Sequence, residues 1–593
     1  MKNKIIVYLG LSLAIVMQSC DDFLLGNKFL EKPLATEMNL DSIFSRKAYA
    51  DQVLAEAYRQ LPDYLPRRDV LSWAVLETQT DLGDCNKPGG TEYYKGSVTA
   101  SSSFNHFPYH LEVYGTETGR FLIGAIRQSY IYIENVDRVP DMTPDEKRIR
   151  KAEAKALIAY QYSQWFRFMG GVVWIDHAYK PTDDFSSFTR STVAESVEKI
   201  CALCDEAAAD LPWSTTAAED GRMTAAAMKA LKVRVLLFAA SPLFNSTDPF
   251  LAGEASSKLL TWYGDYSAQR WQDVIDAGLE FLNLNSQNGD YWQLNQTGNP
   301  REDYVAGYFN RYNNETLISS RQYPTYKTNI WAFSQIRYGT ASPTGNYADM
   351  FQMADGSEFS WSKVEDMSRP YFNADGTPTR DIRFYETLAV LGDKYQGRTF
   401  EPWEPTGREC ETQGGSKMSF NGFAMRKFRR DYSTEMVGKF YSCPLLRLPE
   451  IYLSIAEAMN ELGQAKVRDR FGRNAYDYVD LVRDRVGMPS ISHIAEGEPL
   501  REAILNERAF EFGYEECRFF DINRWKRIDI LQKPLYRYYI TKNSDGTFNF
   551  EKKDLLEVRK YVLPELWSPK YYLVPYTLDE VNKRYGLIQN PGW

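Results

Sequence analysis

The stretch Arg148-Ile-Arg-Lys-Ala-Glu-Ala-Lys-Ala-Leu-Ile-Ala-Tyr-Gln-Tyr-Ser-Gln-Trp-Phe-Arg-Phe-Met169 decides the fold class. Ala154, Leu157, Ile158, Gln161, Trp165 and Phe168 recur at spacings of three and four, which places them on one face of a helix. Ala152, Ala156 and Ala159 are small enough to let a neighbouring helix approach closely. Gly170-Gly171 then ends the helix, and Val172 to Ile175 reads as a short extended segment.

Working outward, Val193 to Leu211 carries a helical pattern. Met223 to Ala240 is apolar almost all round, which predicts a central buried helix stopped by Ser241-Pro242. Toward the carboxyl end, Leu448, Tyr452, Ile455, Met459 and Leu462 form a further stripe that ends at Gly463. Asn474 to Val486 and Leu500 to Phe512 follow as helices. Paired helices with small residues at their crossings predict a mostly α fold of tetratricopeptide-like pairs, although no strict consensus repeat recurs. At Ser241 the character changes. From there to residue 444 the chain is rich in Gly, Pro, Asn, Tyr and Trp, with few long periodic runs. The expected organisation is a helical part over 20–240, a loop-rich variable region over 241–444, and a second helical part over 445–593. Loops on a rigid scaffold are where binding residues usually sit.

Composition bounds the function. A chain of 593 residues could hold two to four compact units or one large helical array. The formal net charge of −9 argues against a nucleic-acid partner, which needs a concentrated basic face. Tyr 40, Phe 32 and Trp 13 make 14% of the chain aromatic, which suits either a wide helical core or stacking platforms.

The amino terminus reads as an export signal. Lys2 and Lys4 precede the apolar run Ile5 to Met17, which is too short to span a bilayer but suits a signal-peptide core. Ser19-Cys20 follows, in an arrangement similar to a lipobox, although Met17 and Gln18 depart from the strict pattern. Residues 1–19 are therefore expected to be removed and Cys20 to be acylated; an ordinary secretory signal is the alternative. Cys85, Cys201, Cys204, Cys410, Cys443 and Cys517 are too sparse for a disulfide framework. Cys201 and Cys204 have metal-site spacing, but no second pair or nearby histidine completes a zinc site.

No constellation of an enzyme stands out. There is no nucleophile elbow, phosphate-binding loop or zinc-protease helix. Of the histidines His106, His110, His177 and His493, the first two flank Pro108, which disfavours a helix presenting both to a metal. Glu507, Glu511, Glu515, Glu516 and Asp521 are interleaved with Arg501, Arg508, Arg518 and Arg524, so ion pairs between helices explain them more simply than a glycosidase pair. No catalytic residue, metal or cofactor is expected. For binding, Arg321-Gln-Tyr-Pro-Thr-Tyr-Lys-Thr-Asn-Ile-Trp331 combines flat aromatics with planar polar groups, the residue types that take sugar faces and hydroxyls. Trp331, Tyr326, Tyr323 and Arg321 are the candidates there, with Trp292, Tyr308 and Tyr312 just upstream.

Several blocks carry a family resemblance. They are Cys20-Asp-Asp-Phe-Leu, Ala152-Glu-Ala-Lys-Ala-Leu with Arg167-Phe-Met-Gly-Gly-Val, and Gly221-Arg-Met-Thr with Ala239-Ala-Ser-Pro-Leu-Phe-Asn245. Further along come Arg380-Asp-Ile-Arg-Phe384, Leu446-Arg-Leu-Pro-Glu-Ile-Tyr-Leu-Ser-Ile-Ala-Glu-Ala458, Asn506-Glu-Arg508, Arg518-Phe-Phe-Asp521 and Gln589-Asn-Pro-Gly-Trp593. Together they resemble the SusD/RagB family of nutrient-binding lipoproteins of Bacteroidetes. The resemblance implies a lipid-anchored protein on the outer face of the outer membrane. Its partner would be a SusC-like TonB-dependent transporter, and its ligand a glycan. The stretch Trp73 to Asn86, with Asp81, resembles a loop that can line the same site as Trp331. Family members differ in ligand, so the same architecture serving peptides or another nutrient stays open, and a surface hydrolase is the more distant reading.

Overall fold

The computed structural model describes residues 40–62, 76–84, 98–101, 122–180, 182–322, 342–395, 397–414, 421–428, 441–555 and 568–593. Its helices include α1 (Lys47–Arg59), α2 (Leu122–Asn135), α3 (Pro144–Met169), α4 (Val193–Asp210), α5 (Ala225–Ala240) and α6 (Gln269–Gln287). After them come α7 (Pro300–Phe309), α8 (Leu448–Glu461), α9 (Ala475–Arg485), α10 (Glu498–Phe512) and α11 (Arg518–Arg524). Each of the first five packs on the next in order, and α6 then packs on α8, which packs on α9 and α10. The mostly helical, tetratricopeptide-like scaffold expected from the sequence is present. The stretch between α6 and α8 is inserted between two neighbours of one continuous array.

Local chemistry sets these boundaries. At the start of α3, Thr143 accepts from the Glu146 N–H at 3.2 Å while Glu146 accepts from the Thr143 N–H at 2.8 Å. Thr192 with Glu195 and Asn474 with Asp477 repeat this reciprocal cap on α4 and α9, which satisfies N–H groups left open at each helix start. At the far end of α3, the Met169 carbonyl accepts from Arg190 at 2.8 Å and from Asn590 at 3.1 Å. The carboxyl-terminal block around Asn590 is therefore a cap for a helix more than four hundred positions earlier in the chain. Buried residues run almost all round α5, as its composition predicts.

One difference from the sequence reading is α6. It lies in the stretch expected to be loop-rich, yet Trp271, Val274, Ile275, Phe281 and Leu282 are buried on one of its faces. Gly278 lets it close on α8: a Cβ there would sit 2.4 Å from the Ile455 side chain. The helical scaffold thus continues well past Ala240.

The inserted region carries short sheets. Strand β1 (Gly83–Asp84) pairs antiparallel with β3 (Ser342–Pro343), and β2 (Thr316–Gln322) pairs antiparallel with β4 (Tyr441–Arg447). Strands β5 (Tyr536–Lys542) and β6 (Phe548–Asp554) form a hairpin. β2 leaves α7 and β4 enters α8, so this pair ties the insertion to the scaffold.

Behind β4 lies the charge network that the carboxyl-terminal residues predict. Arg447 reaches Glu315, Glu511 and Glu515 at 2.7, 2.8 and 2.7 Å. Glu507 takes Arg383 at 2.5 Å and Arg483 at 2.8 Å, and Arg508 takes Asp521 at 2.8 Å. Burial works to raise the Glu511 carboxyl, but Arg485, Arg447 and Arg383 together hold it well below the usual carboxylate range.

Candidate functional site

A cavity of about 190 Å³ opens where the insertion meets the scaffold. Its walls are the connection from α4 to α5 (Thr215 to Thr224), Tyr291 and Trp292 after α6, the turn at Tyr312, and β2 as far as Arg321. Three of the residues named from sequence, Arg321, Trp292 and Tyr312, are thereby brought together.

Asp220 organises the charge. Its Oδ1 accepts from Arg321 Nη2 at 2.7 Å and its Oδ2 from Arg311 Nε at 2.8 Å. Next to it, Gly221 has φ +88°, and a Cβ there would lie 2.7 Å from Arg321 Cγ and 2.8 Å from Nε. Glycine is required both for that backbone conformation and for the arginine stem to lie against it. Nε and Nη1 of Arg321 are buried and have no hydrogen-bond partner among the described residues. Burial pulls the Arg321 guanidinium below its ordinary value; Asp220 opposes this and Arg311 adds to it. The neighbouring Arg222 pairs with Glu153 at 2.8 Å and with Glu219.

The aromatic wall has a fixed part and an exposed part. Trp292 is 7% exposed, and its ring N–H donates to the Trp213 carbonyl at 3.2 Å. Asn285 holds its backbone on both sides, accepting from Trp292 N at 3.1 Å and donating to Trp292 O at 2.8 Å. Tyr291 is half-buried and meets Trp292 edge-on, with centroids 5.1 Å apart. Tyr312 is 55% exposed at φ +60°, a strained conformation for an aromatic residue. Asn313 holds that turn, its side-chain oxygen accepting from Glu315 N at 3.0 Å and Thr316 N at 2.7 Å. Arg311 lies over the Tyr312 ring, 4.9 Å from the centroid. An exposed ring beside hydroxyls of Thr215 and Thr216 and a buried cation can take a polar, ring-shaped ligand.

The other nominated residues fall elsewhere. Asp81 accepts two hydrogen bonds from Arg518, both 2.9 Å, and is buried against the carboxyl-terminal helices. Tyr308 is buried beneath Phe428. Trp73, Tyr323, Tyr326, Trp331 and the acylation candidate Cys20 lie outside the described residues. The pairing of β1 with β3 does join the end of the early candidate stretch to the segment after the later one: Gly83 faces Pro343 and Asp84 faces Ser342. Sequence reasoning did not nominate Asp220, Tyr291 or the role of Gly221, although the Gly221-Arg-Met-Thr block marked the place. Among the described residues no cluster of three or more His, Cys, Asp or Glu could hold a metal ion. Burial pushes the Cys201 thiol up to about 12. No helix among them is long and apolar enough to cross a membrane.

Comparison with known proteins gives a consistent family. A model of the SusD family matches residues 305–593. A SusD-like protein of Formosa agariphila is 32% identical over 99 residues, which is 16% of this chain and 18% of that one. The match therefore spans less than a fifth of the relative's length. Over nearly the whole chain, the fold is similar to a SusD-like protein of Bacteroides fragilis, with TM-score 0.70, 22% identity, and 93% and 98% of the two chains covered. It is also similar to a SusD-like carbohydrate binding protein of the same species, with TM-score 0.65, 18% identity, and 91% and 99% covered. A laminarin binding SusD-like protein aligns with TM-score 0.54 and 16% identity over 93% of this chain and all of that one.

Proposed function

We propose, from the premise that this chain belongs to the SusD family, that it binds glycans in the cavity beside Arg321 and delivers them to a TonB-dependent outer-membrane transporter. The observation that carries the reading is the exposed Tyr312 ring at the mouth of a polar cavity that Trp292 backs. Sugar rings stack their C–H faces on such aromatics while their hydroxyls find polar partners, a contact worth about 1 kcal/mol. Two of the solved structures with this fold are described as carbohydrate binding and laminarin binding, which supports the same ligand class here.

The reading includes an anchor and a place. Cys20 carries the lipid, residues 1–19 are removed, and the protein sits on the outer face of the outer membrane. Trp331, Tyr326, Tyr323 and Trp73 belong to the same reading as further contacts. It assigns no catalytic step: the carboxylates that could pair as acid and base, Glu507, Glu511 and Glu515, are each held by guanidinium or ammonium groups in the interior.

The test is calorimetry of the full mature chain against an array of plant, algal and animal oligosaccharides, with a peptide library in parallel. Glycan binding weakened by Tyr312→Ala supports the reading. Binding of peptides and of no glycan would replace it with peptide capture. Cys20→Ala should release the protein from membranes, and retention at the surface would remove the lipid anchor from the reading.

A further inference from the structure

We infer that the sugar this cavity takes is acidic, carrying a carboxylate or sulfate that the Arg321 guanidinium recognises. The inference rests on the glycan-binding reading and narrows it to a substrate class. Three observations carry it.

The first is the charge count. Asp220 is the one acidic residue on the described lining, and each of its oxygens already accepts a hydrogen bond from a different guanidinium. Arg321 therefore shares half of one carboxylate, in a place where four-fifths of its side chain is removed from water. The second is the pair of orphaned donors. Nε and Nη1 of Arg321 have no partner among the described residues, and a buried cation with open N–H groups gains from any oxyanion that reaches it. Both nitrogens are shielded in the free protein. An entering oxyanion either draws the guanidinium toward it or balances its charge across the cavity wall; either way the cation is compensated where screening is weak.

The third is room. Other arginines also have open nitrogens, so an orphaned N–H is not by itself the sign. Arg485 and Arg508 have one each, but carboxylates meet both charges. Arg380 lies against the Phe359 and Phe384 rings and donates to the Ala348 carbonyl at 2.6 Å. Arg167 borders a hollow of about 20 Å³, room for about one water. Only at Arg321, among these, does an under-compensated guanidinium border a space that admits a sugar ring. A neutral sugar can meet Arg321 only through hydroxyl oxygens, which leave its charge uncompensated, whereas an oxyanion balances it.

Paired probes test this on the full mature chain: acidic oligosaccharides, including oligogalacturonates and sulfated galactans, each with its carboxyl-reduced or desulfated counterpart. The expected result is that at least one acidic member binds at least tenfold more tightly than its neutral counterpart, and that added salt narrows the gap. The uronate and sulfate arms separate the two sources of the oxyanion. Arg321→Gln should close the gap, weakening the acidic probe tenfold or more and its neutral counterpart far less. Should that variant fail to fold, Asp220→Asn takes its place. By removing the competing carboxylate it should tighten the acidic probe several-fold and so widen the gap to its neutral counterpart. Equal binding of both members of every pair, with both weakened by Tyr312→Ala, would overturn the acidic specificity and leave the glycan reading standing. Failure of every acidic and every neutral probe to bind would overturn both.

Discussion

Around Arg447 three carboxylates converge, whereas around Asp220 two guanidiniums do. The residue types are the same and both groups are withdrawn from water. Behind β4 the carboxylates are bridged: Glu315 serves Arg447 and Arg485, and Glu511 serves Arg447, Arg485 and Arg383. Such a cluster meets each of its cations with carboxylates and so balances its own charge. At β2 the balance is reversed, and the surplus cation borders an open space with an exposed ring at its edge. Internally compensated charge holds elements together; charge left in surplus beside a cavity waits for a ligand. The two sites are joined through β2 itself, since Glu315 stands just before its first residue and Arg321 near its last.

If this contrast is right, removing one member of the compensated cluster should do the most damage to folding. Glu511→Ala leaves Arg383, Arg447 and Arg485 with an uncompensated share of buried charge, which typically costs about 3–5 kcal/mol. Glu507→Ala should be of similar size, because Arg383 and Arg483 both depend on it. Urea unfolding followed by circular dichroism measures both. A loss below about 1 kcal/mol would place the cluster with exposed surface pairs and erase the contrast.

Acid should act on this cluster and on two further buried pairs, Glu450 with Arg234 and Asp521 with Arg508 and Arg524. Arginine neighbours hold Glu511, Glu450 and Asp521 below their ordinary values, in each case against burial, which works the other way. A folded value below the unfolded one means that the stabilisation is complete above the unfolded value, about 4 to 4.5, and is lost as pH falls through the folded value. Melting temperature should therefore fall progressively below about pH 4.5. A flat profile down to pH 3 would contradict the linkage.

How far these regions could be read from sequence follows the range of their contacts. Helices α3, α5 and α8 print a burial period into consecutive residues, and their ends were legible to within a few positions. Helix α6 was missed because Gln269, Gln272, Asp273, Asp276 and Asn283 dilute its stripe within a Gly- and Asn-rich neighbourhood. The dense Glu and Arg of the carboxyl-terminal region announced ion pairing but not its partners, since Arg383 is 124 positions from Glu507. In the cavity, Arg321 and Trp292 were legible as residue types suited to sugars. Asp220 was not, because it reads as a turn residue before glycine and its partner Arg321 lies 101 positions away. Asp81, read as a loop residue, is taken by Arg518, 437 positions away.

A smaller effect is expected at Gly221, where the cavity depends on backbone shape. Gly221→Ala imposes a left-handed φ on a residue with a Cβ and drives that carbon into Arg321, a combined cost of about 1–3 kcal/mol. It should also displace the guanidinium and weaken binding of acidic oligosaccharide. Denaturation and calorimetry on the same preparation separate the two. Lost stability with unchanged affinity would show that the arginine does not need this seat.

The smallest effect on folding should be at Tyr312, and it is the sharpest test of the contrast. The ring is 55% exposed, so truncation removes little buried surface, and stability should change by no more than about 0.5 kcal/mol. Its strained φ is held by the Asn313 hydrogen bonds, which engage the backbone of Glu315 and Thr316 and survive the substitution. Binding should respond where folding does not. Loss of one stacking contact is worth about 1 kcal/mol, or roughly five- to tenfold in affinity, for acidic and neutral sugars alike. Arg321→Gln should discriminate between those two sugar types, so the pair of variants separates the platform from the charge reader. Tyr312→Trp should keep or improve affinity by preserving the flat face. A Tyr312→Ala protein that melts several degrees lower with unchanged affinity would move this ring from the recognition surface to the scaffold.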